Sequence, residues 1–194
     1  MTPVRFLDRT TPPHIATLIL IAGLAALSLN IFLPSLPSMA AHFGVPYDLM
    51  QLSVSAYLAT TAVMQIFIGP LSDRFGRRPV LLTAIAIFTA ATIGAIFAPN
   101  FHVFLACRMA QAVIASGFVL SRAIVRDIVP QDQAASMIGY VTMGMSLVPM
   151  VGPLIGGFLD KTLAGWTPSF WVLALGGASL FALVWADQGE TARD

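Results

Sequence analysis

Long apolar stretches, each free of Asp, Glu, Lys and Arg, dominate the sequence. Five such runs cover residues 10–47, 49–72, 79–107, 133–159 and 162–186. Each is longer than the roughly 18 residues that suggest a membrane-spanning helix. A sixth apolar stretch, 101–124, is interrupted by Arg108 and closes on Arg122 and Arg126. The pattern therefore predicts six membrane-spanning helices.

These helices are predicted at about residues 14–37, 49–71, 79–98, 101–125, 134–159 and 168–187. Prolines mark many of the predicted ends, where a missing backbone donor is least damaging: Pro34, Pro37, Pro70, Pro79, Pro99, Pro130 and Pro168. No hydrophilic linker divides the chain, so residues 1–194 are expected to form one all-α membrane domain. Three helices followed by three more are compatible with a 3+3 inverted repeat.

Composition supports a lipid environment. The chain is 57% hydrophobic and 10% charged, whereas soluble domains carry about 25% charged residues. Its single cysteine, Cys107, excludes an internal disulfide and a cysteine-rich metal site. The three histidines are scattered, so no metal or other cofactor is expected. No predicted span holds a carboxylate before its last residue, and none holds a nucleophile beside a base, so we expect neither an enzyme nor a nucleic-acid partner.

Positive residues predict the orientation, because cytoplasmic loops are enriched in Lys and Arg. One side of the predicted bundle carries eight arginines and the other only Lys161; the arginines are Arg5, Arg9, Arg74, Arg77, Arg78, Arg122, Arg126 and Arg193. Both termini are therefore expected in the cytoplasm. A secretory signal peptide is the alternative for the N-terminus, but the first run exceeds the 7–15 residues of such a segment and five more spans follow.

The segment GPLSDRFGRRPVL, Gly69–Leu81, falls in the predicted cytoplasmic turn between the second and third helices. An ordinary positive loop would account for its arginines and for Gly76 as a turn residue. It would not account for Asp73 among the arginines, nor for the order of glycine, acid, base, glycine and two bases. This order resembles the loop signature of the major facilitator superfamily, matched at Gly69, Leu71, Asp73, Arg74, Gly76, Arg77 and Arg78.

The resemblance implies a bundle of transporter helices and a role for this loop. Asp73 and Arg77 would form a charge cluster with an acid at the end of the fourth helix, where Asp127 stands, and would hold one of two alternating conformations. Asp73→Asn is then expected to abolish drug resistance in an intact transporter without preventing membrane insertion.

Two further segments, SRAIVRD (121–127) and LPSLP (33–37), resemble the bicyclomycin-resistance (Bcr/CflA) subfamily of drug/proton antiporters. In the fifth helix, Gly152 and Gly156 form a small-xxx-small face for close helix packing, and prolines bend the helix. The segment also resembles the antiporter signature of the superfamily, at Gly144, Gly152, Pro153, Gly156 and Gly157. That resemblance implies export by exchange, and it is compatible with the packing interpretation.

Arg108 is the sharpest single candidate, because a charge at this depth normally faces a partner or a water-filled cavity. Snorkelling to the outer surface is the alternative. Asn30 on the first helix is predicted at a similar depth, so the two side chains could face each other. The resemblance associates the R-x-x-Q pair, Arg108 and Gln111, with proton coupling. Asn30 replaces an aspartate common in the subfamily and cannot exchange a proton.

Gln65, Tyr57, Asn30 and Gln111 are further candidates to line a central substrate cavity together with Met64. The resemblance covers the chain and implies multidrug efflux in a bacterial inner membrane. Its substrates would be small and amphipathic or drug-like, and a proton gradient would supply the energy. A complete member of this superfamily has two six-helix halves. Either this chain acts with a C-terminal half or a second copy, or it is a truncated membrane protein that transports nothing.

Overall fold

The computed structural model describes residue 7, residues 13–162 and residues 165–189, and in those ranges the chain consists of helices and short turns. Six helices are long and apolar enough to cross a membrane. They are α1 (Ile15–Phe43), α2 (Tyr47–Phe75), α3 (Arg77–Ile96), α4 (Phe101–Ile128), α5 (Gln131–Thr162) and α6 (Thr167–Asp187). The chain is thus an all-α membrane protein. Arg5, Arg9 and Arg193, on which the predicted orientation partly rests, lie outside the described residues.

Helix α1 extends beyond its predicted end. It runs as an α-helix over Ile15–Asn30, tightens into a 3₁₀ turn over Leu33–Ser35 and continues as an α-helix over Leu36–Phe43. Pro34 and Pro37 were expected at the end of the span, but they lie inside it. Each occupies one of the first two positions of its segment, where a missing N–H leaves no hydrogen bond unmade. The two prolines therefore change the helix type without ending the span.

The turn between α2 and α3 is far shorter than predicted. Helix α2 continues through Pro70 to Phe75, and α3 begins at Arg77, so Gly76 is the sole residue between them. Gly76 has φ 94° and ψ 150°, a conformation that side-chain-bearing residues rarely adopt. The motif segment therefore lies mainly on the last two turns of α2 and the first turn of α3.

Helices α4 and α5 are both interrupted near their centres. Helix α4 passes through a 3₁₀ turn over Ala112–Ala115. Helix α5 breaks at Leu147, between segments Gln131–Ser146 and Val148–Thr162. Pro149 explains this second break, because it has no N–H to donate to the carbonyl four residues earlier.

Burial is uneven among the six helices. In the most apolar window of each helix, 56% of α1 and 50% of α4 residues are buried, but only 17% of α2 and 11% of α5 residues are. Helices α1 and α4 therefore form the centre of the bundle. An aromatic cluster of Phe43, Phe104, Trp166 and Phe170, with neighbouring ring centroids 5.1–5.7 Å apart, fills one end of it.

Candidate functional sites

Arg108 is completely buried within the bundle. Its guanidinium carbon lies 4.1 Å from the ring centroid of Phe32 on α1, 4.4 Å from that of Tyr57 on α2 and 6.0 Å from that of Phe170 on α6. Cations are attracted to such ring faces, most strongly where water is excluded. The side chain therefore does not snorkel; aromatic rings from three other helices enclose it.

A chain of hydrogen bonds extends this aromatic enclosure. Arg108 Nη1 donates to Gln111 Oε1 at 2.6 Å, and Gln111 Nε2 donates to Thr92 Oγ1 on α3 at 2.6 Å. The same Nη1 lies 3.5 Å from the Ser28 carbonyl oxygen. Arg108 Nε and Nη2 have no hydrogen-bond partner among the described residues. The guanidinium thus joins α1, α2 and α6 to α4, and Gln111 extends the connection to α3, without a carboxylate.

Sequence reasoning identified Arg108, Gln111 and Tyr57 but missed Ser28, Phe32 and Thr92. Tyr57 is 2% exposed, and its hydroxyl donates to Ser28 Oγ at 3.3 Å. Ser28 and Phe32 are four residues apart, which places them on one face of a helix. Ser28 and Phe32 could have been identified from this spacing, because both lie on α1 near the predicted depth of Arg108.

The suggested pairing of Asn30 with Arg108 is wrong for this structure, in which no hydrogen bond joins these two described side chains. Residues two apart on a helix point about 200° apart, so Asn30 faces away from the side that carries Ser28. Its Nδ2 donates to the Ala26 carbonyl at 2.7 Å, and its Cβ lies against Gly152 of α5.

The candidate cavity residues do not share one cavity in the described part of the chain. Arg108, Gln111 and Tyr57 meet in the interior, whereas Asn30 is half-buried towards α5 and Gln65 is exposed on α2. Met64 lies beside a separate apolar groove between α2 and α3.

The motif between α2 and α3 forms a charge cluster centred on Arg77. Arg77 Nη1 lies 2.5 Å from Asp73 Oδ1, and Nε donates to Asp127 Oδ2 at 3.2 Å. Nη1 also donates to Ser72 Oγ at 2.5 Å. Because Asp127 lies at the end of α4, this one side chain ties together the ends of α2, α3 and α4.

The other motif residues take different positions. Arg74 is exposed, with its guanidinium 5.4 Å from the Phe75 ring centroid. Arg78 Nη2 donates to the Trp185 carbonyl, in the last turn of α6, at 3.2 Å. Gly69 has open space where a Cβ would stand. The two adjacent arginines 77 and 78 thus contact different helices, and we refer to the end of the bundle where they lie as the arginine-rich end.

Two glycines of α5, Gly144 and Gly156, face α1 at very short range. A Cβ added to Gly156 would fall on the backbone carbonyl of Ile31, and one added to Gly144 would lie 2.7 Å from Ile19 Cγ2. At Gly157 the nearest atom is Pro34 Cβ at 3.6 Å, and Pro153 lies inside the same helix. The geometry accounts for glycine at Gly144 and Gly156 by packing alone.

Comparison with known proteins places these features in a family. The model of the Major Facilitator Superfamily matches residues 18–193. A chloramphenicol resistance protein of Pseudomonas aeruginosa is 37% identical over 170 residues, covering 87% of this chain and 40% of that protein. A bicyclomycin resistance protein homolog of Haemophilus influenzae is 30% identical over 185 residues, covering 95% and 46%. The chain thus spans less than half the length of these curated relatives.

A solved structure shares the fold. A bacterial homolog of the human lysosomal transporter Spinster, in an inward-facing and unoccupied conformation, aligns with a TM-score of 0.74 at 20% identity, over 93% of this chain and 43% of that one. The described residues thus form a multi-pass integral membrane bundle. The chain belongs to the Major Facilitator Superfamily, and its relatives include multidrug, chloramphenicol and bicyclomycin resistance transporters.

Proposed function

We propose that this chain is the N-terminal half of a drug/proton antiporter that exports small amphipathic or drug-like compounds across a bacterial inner membrane. The observation that carries the proposal is the contact of Arg77 with both Asp73 and Asp127. An ionic contact that joins three helix ends can favour one of two conformations, and a transporter alternates between inward-open and outward-open states whose populations such a contact would shift. On this proposal the arginine-rich end is cytoplasmic and the chain is not an enzyme.

The burial pattern supports a requirement for a second six-helix bundle. Helix α5 presents a stripe of exposed apolar side chains at helical spacing: Met143, Leu147, Met150, Leu154 and Phe158. Helix α2 is similarly uncovered, and these two helices are the least buried of the six. Together with the partial coverage of the relatives, this favours a partner half against α2 and α5, supplied by a C-terminal bundle or by a second copy. The remaining apolar surface faces lipid.

The charges of the interior bear on energy coupling. Each described carboxylate within a spanning helix lies among the first or last three residues of that helix, so no described carboxylate lies at the depth of Arg108. Asn30 cannot bind and release a proton in the working pH range. Proton exchange would then use a carboxylate of the second bundle. Asn30→Asp, assayed for drug export at several proton gradients, tests whether position 30 matters; gradient dependence identical to the parent would show that it does not.

The central experiment expresses the chain together with the C-terminal six-helix half of a relative, such as the bicyclomycin resistance protein homolog of Haemophilus influenzae, in cells lacking their own efflux pumps. We expect resistance to chloramphenicol or bicyclomycin that is lost on adding an uncoupler. Asp73→Asn should abolish this resistance at unchanged membrane abundance. Asp132→Asn, at an exposed acid near the start of α5, is the matched control and should retain it. Parental resistance in the Asp73→Asn variant would refute the proposed role of the cluster.

A truncated, transport-inactive membrane protein is the second candidate. The chain covers 40% and 46% of the lengths of two relatives, and this coverage by itself does not distinguish the two candidates. The DNA downstream discriminates between them: a reading frame with six further apolar spans supports the transporter half, and its absence together with no resistance supports the inactive protein.

A further inference from the structure

A buried carboxylate at the end of α6 has no part in the proposed function. Asp187 is the last residue of α6 and is completely buried. Its Oδ2 accepts hydrogen bonds from the backbone N–H of His14 at 3.0 Å and from the Thr17 hydroxyl at 2.6 Å. Its Oδ1 accepts from the backbone N–H of Leu7 at 2.7 Å. A residue at one end of the sequence thus holds residues at the other end, 170 or more positions away.

The chemistry of these contacts suits an anion. The first N–H groups of an α-helix have no partner within the helix, and the helix dipole favours negative charge there. His14 and Thr17 belong to the cap and first turn of α1, and the Thr17 hydroxyl is itself fully buried. Hydrogen bonds to a charged group are stronger than those between neutral groups. A carboxylate that accepts three of them is well compensated for its burial.

The end of α6 is also held from its other side. Arg78 donates to the Trp185 carbonyl, and a cation near a helix C-terminus is stabilised by the helix dipole. Trp185 and Asp187 lie in the same turn. The last turn of α6 therefore connects the first turn of α3 with the first turn of α1.

We propose that Asp187 is a positioning residue that fastens the start of α1 to the end of α6. When the six-helix bundle moves as a rigid body, this fastening makes the start of α1 move with the end of α6. Through the hydrogen bond from Arg78 to Trp185, it also moves with the start of α3 at the arginine-rich end. Neither the family signatures nor the comparisons assign this role.

The test measures local opening and does not need transport, so it can fail independently of the proposed function. Cys107→Ser removes the native thiol, and Ile15→Cys places a reporter thiol in the first turn of α1. Labelling with a membrane-impermeant maleimide is followed in the full chain, in membranes open at the arginine-rich end. In Asp187→Asn, an amide NH₂ replaces one acceptor oxygen and cannot satisfy all three donors. We expect labelling at position 15 to be about tenfold faster, as local unfolding of the first turn becomes more frequent.

Control variants separate fastening from general loosening. A second reporter, Ala134→Cys, lies buried near the start of α5 and should keep its parental rate in Asp187→Asn. Thr17→Val removes only the hydroxyl donor at nearly constant volume and should accelerate labelling at position 15, whereas Thr17→Ser retains the donor and should not. Unchanged labelling at position 15 in both Asp187→Asn and Thr17→Val would overturn the inference, as would equal acceleration at positions 15 and 134. If the Asp187→Asn protein does not accumulate, the labelling rates of Thr17→Val and Thr17→Ser at position 15 test the inference without it.

Discussion

The contact between α5 and α1 makes a sharp prediction for Gly156→Ala. The added Cβ would fall on the Ile31 carbonyl oxygen, a backbone atom that cannot rotate away, so the two helices must separate. Overpacking of this kind typically costs about 1–3 kcal/mol, and a backbone neighbour places this site at the upper limit. With roughly 2–4 °C per kcal/mol for a chain of this length, we expect the melting temperature to fall by about 6–12 °C.

The same helix offers a matched control. Gly139 has open space where a Cβ would stand, so Gly139→Ala gains helix propensity worth up to about 1 kcal/mol and should melt a few degrees higher. Gly152→Ala should fall between the two, because its nearest neighbour at 3.3 Å is the flexible end of Leu27. The assay is thermal denaturation of the purified chain in detergent. A Gly156→Ala protein that melts at or above the temperature of Gly139→Ala would refute the packing argument.

Three further predictions concern charged groups. Gln111→Leu removes the 2.6 Å acceptor of Arg108 and should destabilise the chain by about 1.5–3 kcal/mol, the usual worth of a hydrogen bond to a charged group; an unchanged melting temperature would contradict this. Phe32→Leu removes the nearest aromatic face and should cost about 2 kcal/mol more than Phe88→Leu, a buried control outside the enclosure, in the same denaturation assay. Asp73→Asn should cost under about 1 kcal/mol, because the Asp73 side chain is 62% exposed; a larger loss would mean that reduced transport could reflect unfolding.

The number and approximate place of the spans could be predicted because the charges that delimit them are visible in the sequence. The ends of α1 and α2 were predicted too early, because proline was taken as a stop signal. Pro34 and Pro70 instead lie within continuous spans. In a membrane, ending a helix exposes backbone groups that lipid cannot satisfy, so the helix continues past both prolines, through a 3₁₀ turn at Pro34 and as an α-helix at Pro70.

The candidate sites, like the helices, could be predicted only in part. The cluster of Asp73, Arg77 and Asp127 was predictable as a set because the family signature fixes its order. The surroundings of Arg108 were not, since depth along a helix can be counted from the sequence but direction around it cannot be compared between helices whose rotations are unknown. Asn30 was therefore placed at a plausible level but on the wrong face.

The aromatic enclosure of Arg108 has a consequence for synthesis of the protein in the membrane. Phe32 and Tyr57, whose rings lie closest to the guanidinium, belong to α1 and α2, which are made before α4. An isolated helix carrying a central arginine enters lipid at a cost of about 2.5 kcal/mol or more. When α4 reaches the bilayer, the two helices that shelter its charge are already there, and Phe170 on α6 arrives afterwards to close the enclosure. The order of helices along the chain thus places the two closest aromatic contacts of Arg108 in the membrane before the arginine itself is inserted.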